Sequence, residues 1–178
     1  SEGLAIWIAS YLAYETECLN INLLHLSSRK AIDAALMMQD MFPHINFRRE
    51  VTIGHLLLDV DAECAVHAKV NPPIRTQDDQ DALWRALAKG EIDTVVSDHA
   101  CCMEENKKGD TWTALPGFGG TSLLYPVLLS EGVHKRGLPL ERVVDLISTT
   151  PARRFGLYPK KGAIAVGSDA DLALIDLN

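Results

Sequence analysis

The run Ile92-Asp93-Thr94-Val95-Val96-Ser97-Asp98-His99 constrains the fold more than any other stretch of the chain. It is short, apolar and rich in β-branched residues, so it favours a strand. It then stops abruptly at an acid and a histidine, which a buried strand tip has no use for. The C-terminal rim of a parallel β-barrel, where active sites gather, does use such residues. A second run of this kind lies upstream, Ile21-Asn22-Leu23-Leu24-His25. Two strands that deliver a histidine and an acid to one rim point to a metal site, because zinc takes imidazole nitrogen and carboxylate oxygen readily.

The segments between these runs predict alternating helices and strands. Residues 2–19 carry apolar side chains at helical spacing, Trp7 and Tyr11 among them, and read as a helix. Residues 20–26 follow as a strand. Ser27 or Ser28 then caps a helix to about Met41, with Ile32, Ala35, Leu36 and Met38 on its apolar side. Phe47 to about Thr52 reads as another strand, and 54–70 fits neither pattern. Asn71-Pro72-Pro73 forms a rigid loop, since neither proline can donate to a ladder. Thr76 caps an amphipathic helix over about 77–89, with Asp78, Asp79 and Asp81 in its first turn and Gly90 as its stop. After the strand at 92–97, residues 100–120 make a long polar loop of the kind that is usually functional. Helices at about 121–135 and 139–148 follow, and Thr150-Pro151 predicts a cap and first-turn proline for a short helix ending near Gly156. Gly162 to Leu177 alternates and reads as two strands around Gly167-Ser168. Strands followed by helices imply a parallel α/β sheet. About three such strands is too few for a complete (β/α)8 barrel, so the alternatives are a small open α/β fold or the back part of a barrel enzyme.

Composition narrows the function. The chain has 178 residues, 47% hydrophobic and 23% charged, which is a globular balance. Its net charge of −7 argues against a nucleic-acid partner. No apolar run approaches the roughly 20 residues of a membrane span, and no secretory signal pattern is visible. The spacing of Cys18, Cys64, Cys101 and Cys102 fits no zinc finger, and reduced thiols in a cytoplasmic protein are the expectation.

At this point the ordered set LLHLSS (23–28), EVTIGHLLLD (50–59), KVNPPIRT (69–76), VVSDHA (95–100) and STTPARRFGLYPKKGAIAVGSDADLALID (148–176) resembles the cyclic amidohydrolases. That family holds hydantoinase/dihydropyrimidinase, allantoinase and dihydroorotase. The resemblance implies an α/β fold, the C-terminal portion of a (β/α)8 metal-dependent hydrolase barrel at about strands 6–8, leading into a small β-sandwich. It divides the chain into a partial barrel over 1–161 and the start of the sandwich over 162–178.

By the same resemblance, His25 matches the sixth-strand metal ligand and Asp98 the eighth-strand ligand, which is also the proton shuttle. Asn71 matches a substrate-contacting loop residue, and Gly119 and Gly120 lie in a loop (GFGG, 117–120) that contacts the ring amide through its backbone. The implied reaction is hydrolysis of a cyclic amide C–N bond in a hydantoin, dihydropyrimidine, allantoin or dihydroorotate ring. Hydroxide on one or both of two divalent metals, usually zinc, attacks the carbonyl, and Asp98 passes the water's proton to the leaving nitrogen. His99 is expected to face away and orient a ligand from behind. Cys102 is either pocket lining or a small buried filler. His55 matches a family position of less uniform role, and a structural histidine is the favoured reading of it.

Three parts of the family pattern have no counterpart in these residues: the His-x-His, the fourth-strand lysine and the fifth-strand histidine. The expectation is therefore that the chain begins in the helix before the sixth strand, binds zinc weakly alone and does not hydrolyse substrate. Homo-oligomerisation is also expected. The subfamily signals conflict: DHACC departs from the DHAPH of dihydroorotases, Ser97, Asp98, His99 and Cys102 fit allantoinases, and the 155–171 stretch is nearest hydantoinases. A non-catalytic dihydropyrimidinase-like scaffold is the competing class.

Overall fold

A computed structural model describes residues 1–177. Its centre is a parallel sheet of three strands in sequence order: β1 (Asn20–Leu23), β2 (Asn46–Thr52) and β3 (Thr94–Val96). Asn22 sits opposite Arg48, and Glu50 opposite Thr94. Side chains alternate across a strand, so this register sorts them into two unlike faces. Ile21, Leu23, Phe47, Val51 and Val95 share the first, and the last four of these are buried. Asn22, Arg48, Glu50, Thr94 and Val96 share the second and line one hollow with Pro151, Arg154 and Phe155. Open parallel sheets are normally apolar on both faces, so the polar second face is the departure that needs a function.

The helices cover the apolar face. α1 (Glu2–Glu15) packs on α2 (Arg29–Met41), whose Ile32, Ala35 and Met38 are buried. Ser28 caps α2, accepting the Ala31 N–H at 3.2 Å. After β2 a short α3 (Ile53–Leu57) turns the chain, and a 3₁₀ turn over Ala65–Ala68 resolves the region the sequence left ambiguous. α4 (Gln77–Lys89) starts at Thr76 and stops at Gly90, whose φ of +78° suits a residue without Cβ. Leu83, Ala86 and Leu87 are its buried stripe, as the spacing required. Trp84 donates its indole N–H to the Leu56 carbonyl at 2.9 Å, which fixes α4 against α3.

Three expectations need correction. The helix at 121–135 is not uniform: a 3₁₀ turn (Thr121–Leu123) leads into α5 (Leu124–Val127), which widens to a π-helix over Leu128–His134. Nor does Thr150 open a separate helix. α6 (Leu140–Val144), a π segment (Asp145–Thr149) and α7 (Thr150–Arg154) run on without a break. The wide turn just before Pro151 carries the ladder past a residue that has no N–H to give. The two strands expected in the tail do not form among the described residues 162–177. That segment finds no neighbouring strand to pair with, and Ile164, Val166, Leu172 and Leu174 face solvent. No helix among the described residues is long and apolar enough to cross a membrane.

Candidate active site

β1 and β3 finish at the same end of the sheet, and each hands the chain to a residue of unusual backbone. His25 has φ +41° and Asp98 has φ +47°; with Glu17 they are the non-glycine residues of positive φ among the described residues. An L-residue there is disfavoured by contact of Cβ with the following carbonyl. Such conformations persist where surrounding contacts over-determine them, and they cluster at functional sites.

The contact that holds His25 comes from Glu50. Its carboxylate accepts the His25 N–H at 3.3 Å, and its main-chain carbonyl accepts the Leu26 N–H at 2.8 Å. Glu50 is half-buried, and burial pushes its carboxyl above the usual carboxylate range. The His25 N–H opposes that shift, and the negative charge of Asp98 adds to it. His25 and Asp98 thus both lie within electrostatic reach of one carboxylate. The sequence reading missed Glu50. Its signal was present: three successive charged residues, Arg48, Arg49 and Glu50, inside a strand of a parallel sheet. Arg49 is accounted for by Asp93, which takes its Nε–H at 3.0 Å and its main-chain N–H at 2.8 Å.

The turn after His25 is anchored just as firmly. Glu2 accepts the Ser27 N–H at 2.9 Å and the Ser27 and Ser28 hydroxyls at 2.8 and 2.9 Å, and Arg75 donates to the Ser27 hydroxyl oxygen at 3.0 Å. The imidazole of His25 is held less completely. Its Nδ1 is buried and has no hydrogen-bond partner. A buried nitrogen with nothing to bind and an exposed aspartate, both within reach of Glu50, fit a metal-donor pair in atom type. Among the described residues, however, no three His, Cys, Asp or Glu side chains come together. His25 and Asp98 are therefore at most part of a donor set.

His55 is a buried structural histidine. Its Nε2 bonds the Pro72 carbonyl at 2.9 Å and its Nδ1 pairs with the Thr52 hydroxyl at 2.8 Å. Burial pushes its pKa below the ordinary histidine value, against the opposing pull of the Pro72 carbonyl. It props the loop that exposes Asn71.

The 117–120 segment packs beside the residues that follow Asp98. Gly117 donates to the Lys69 carbonyl at 2.8 Å, and Ala100 donates to the Phe118 carbonyl at 3.1 Å. His99 was expected to face away and orient a ligand. Instead its ring lies against this segment: Nδ1 accepts N–H bonds from Gly120 and Thr121 at 3.1 and 3.2 Å. The half-buried Cys102 thiol points at the carbonyls of this loop, with Gly117 at 3.5 Å.

Comparison with known proteins gives the family of the chain. Residues 14–178 match the model of the amidohydrolase family. An allantoinase of Rubrobacter xylanophilus is 36% identical over 176 residues, covering 97% of this chain and 38% of that protein. An L-hydantoinase of Paenarthrobacter aurescens is 34% identical, covering 99% of this chain and 39% of its own length. The solved D-hydantoinase (dihydropyrimidinase) of Thermus sp. superposes with a TM-score of 0.86 at 34% identity, over 94% of this chain and 38% of that one. The chain thus spans under two fifths of the length of the relatives it matches, and on this likeness it belongs to the amidohydrolase family.

Proposed function

We propose that the chain supplies the sixth to eighth strands and part of the metal site of a cyclic amidase that hydrolyses a ring C–N bond. The observation that carries this reading is the pair of positive-φ residues, His25 and Asp98, at one end of the parallel sheet, after the two strands that flank β2. The polar face of the sheet supports it too, since a barrel interior tolerates what an open sheet does not. Residues 1–161 would be barrel, and 162–178 the approach to a β-sandwich. The names of the relatives, allantoinase and hydantoinase, support the reaction class.

His25 and Asp98 would hold metal, for which zinc is the natural choice given their donor atoms. When bound, the metal supplies an acidified water and a polarised carbonyl. Asp98 takes the proton of the attacking water. It hands that proton to the ring nitrogen as the C–N bond breaks. Asn71 and the backbone of 117–120 hold the ring against this exchange. Self-association belongs to the same reading, supported by the outward apolar face of α1, where Leu4, Ile8, Tyr11 and Leu12 are exposed.

The test uses the full-length protein, assayed against hydantoin, dihydrouracil, allantoin and dihydroorotate with its zinc content measured. Turnover of one ring is expected, with Asp98→Asn lowering kcat by about a thousandfold. A full-length protein that turns over none of the four, or an Asp98→Asn variant with native kcat, overturns the proposal. The first outcome would favour a non-catalytic scaffold.

A further inference from the structure

We infer that His99 is a positioning residue that sets the conformation of the 117–121 segment, and through it the grip on the substrate ring. This rests on the proposed reading of 117–120 as substrate-contacting backbone. The geometry is specific. The Nδ1 lone pair of His99 is shared by two successive main-chain donors, Gly120 at 3.1 Å and Thr121 at 3.2 Å. A proton on Nδ1 would face both N–H dipoles head-on, so the ring proton belongs on Nε2. There Nε2 faces the Cys101 thiol.

The glycines complete the fit. A Cβ on Gly119 would stand 3.3 Å from His99 Cε1, so the Cε1 edge of the ring lies close to a residue with no side chain. A Cβ on Gly120 would stand 3.2 Å from the Ser97 carbonyl oxygen, so the segment presses on the end of the Asp98 strand itself. The ring is therefore a strut between two parts of the site. It leaves from the residue after Asp98 and ends on the main-chain N–H groups of Gly120 and Thr121.

Three measurements on the full-length protein test this. First, the ¹⁵N spectrum of His99 at neutral pH should show the Nε2–H tautomer; an Nδ1–H tautomer overturns the inference. Second, amide hydrogen exchange across 118–121 should quicken about tenfold in His99→Ala, the factor expected for one lost hydrogen bond. In His99→Asn, whose amide oxygen stands near the place of Nδ1, exchange should return to native. Unchanged exchange in His99→Ala, or equal exchange in the two variants, overturns it. Third, His99→Ala should raise KM about tenfold with kcat within threefold of native, since it loosens ring binding while Asp98 stays in place. A fall in kcat at unchanged KM would place His99 in the chemistry and overturn a positioning role. The first two readouts need no substrate. If the cyclic-amidase reading fails, they still decide whether His99 sets this segment.

Discussion

Replacing His25 with glycine should make the metal-free protein more stable while removing a proposed metal donor. An L-residue at φ +41° carries a penalty of roughly 1–2 kcal/mol. The buried, partnerless Nδ1 adds about 1 kcal/mol, the low end for an unsatisfied polar atom, because the ring is only partly buried. Against these stand about 0.5–1 kcal/mol for the flexibility glycine gives the unfolded chain, and about 1 kcal/mol of lost ring contacts. The net is a gain of about 1 kcal/mol, or about 2–4 °C in Tm for a domain of this size. His25→Ala is the control: it removes the orphaned nitrogen but keeps a Cβ at positive φ, so it should fall about 1 kcal/mol below His25→Gly. The assay is urea and thermal unfolding of chelator-treated full-length protein. Zinc at a hundred times its Kd should then lift the native protein by about 2.7 kcal/mol, past both variants, which lack the donor. If His25→Ala equals or exceeds His25→Gly without metal, backbone strain is not what His25 stores and the reasoning fails.

Glu50→Ala should lower zinc affinity in the full-length protein by about tenfold, because His25 loses the carboxylate that fixes its backbone, whereas Glu50→Gln keeps the acceptor and should stay within threefold of native; equal losses in both would show that the charge and not the hydrogen bond matters. Leu87→Ala, at a fully buried position, should cost about 3–5 kcal/mol in urea unfolding. His55 ties stability to pH. Its folded pKa is depressed, so as pH falls below about 6.5 the unfolded chain takes up a proton that the native ring refuses, and stability should decline. His55→Gln should flatten that decline in pH-dependent unfolding curves; an unaltered slope would count against the assignment.

The parts of the fold that were legible in the sequence are those that local chemistry decides. Thr76 and Gly90 bracket α4 because a hydroxyl caps the first amides and only glycine ends a helix easily at positive φ. Thr94-Val95-Val96 reads as strand from β-branching alone. What was hidden depends on tertiary context. The π widening over 128–134 and 145–149 leaves no mark in spacing. The alternation at 162–177 is real, but a strand needs a partner that alternation cannot supply. Of the proposed site, His25 and Asp98 stood out because each follows an apolar run. Glu50 left only an indirect mark, the run of three charged residues at 48–50, because a charge inside a strand looks like an ordinary solvent-facing position until the register turns it toward both rim residues. His99 was visible as a neighbour of Asp98, yet its direction depended on where the glycines 20 residues on would fold.

α1 is built inside out. Apart from the buried Ile6, its inward face is small: Ser10 and Ala13 are buried, and a Cβ on Gly3 would come within 3.3 Å of the Lys30 carbonyl oxygen. Its outward face carries Leu4, Trp7, Ile8, Tyr11 and Leu12. For anyone engineering this protein, the usual intuition therefore inverts. Charges written over Trp7 or Leu12 would leave the core untouched and are the first handle on solubility. Conservative-looking enlargements, Gly3 to alanine or Ala13 to leucine, would prise the helix from its neighbour. The residues that look dispensable by size are the ones that hold α1 in place.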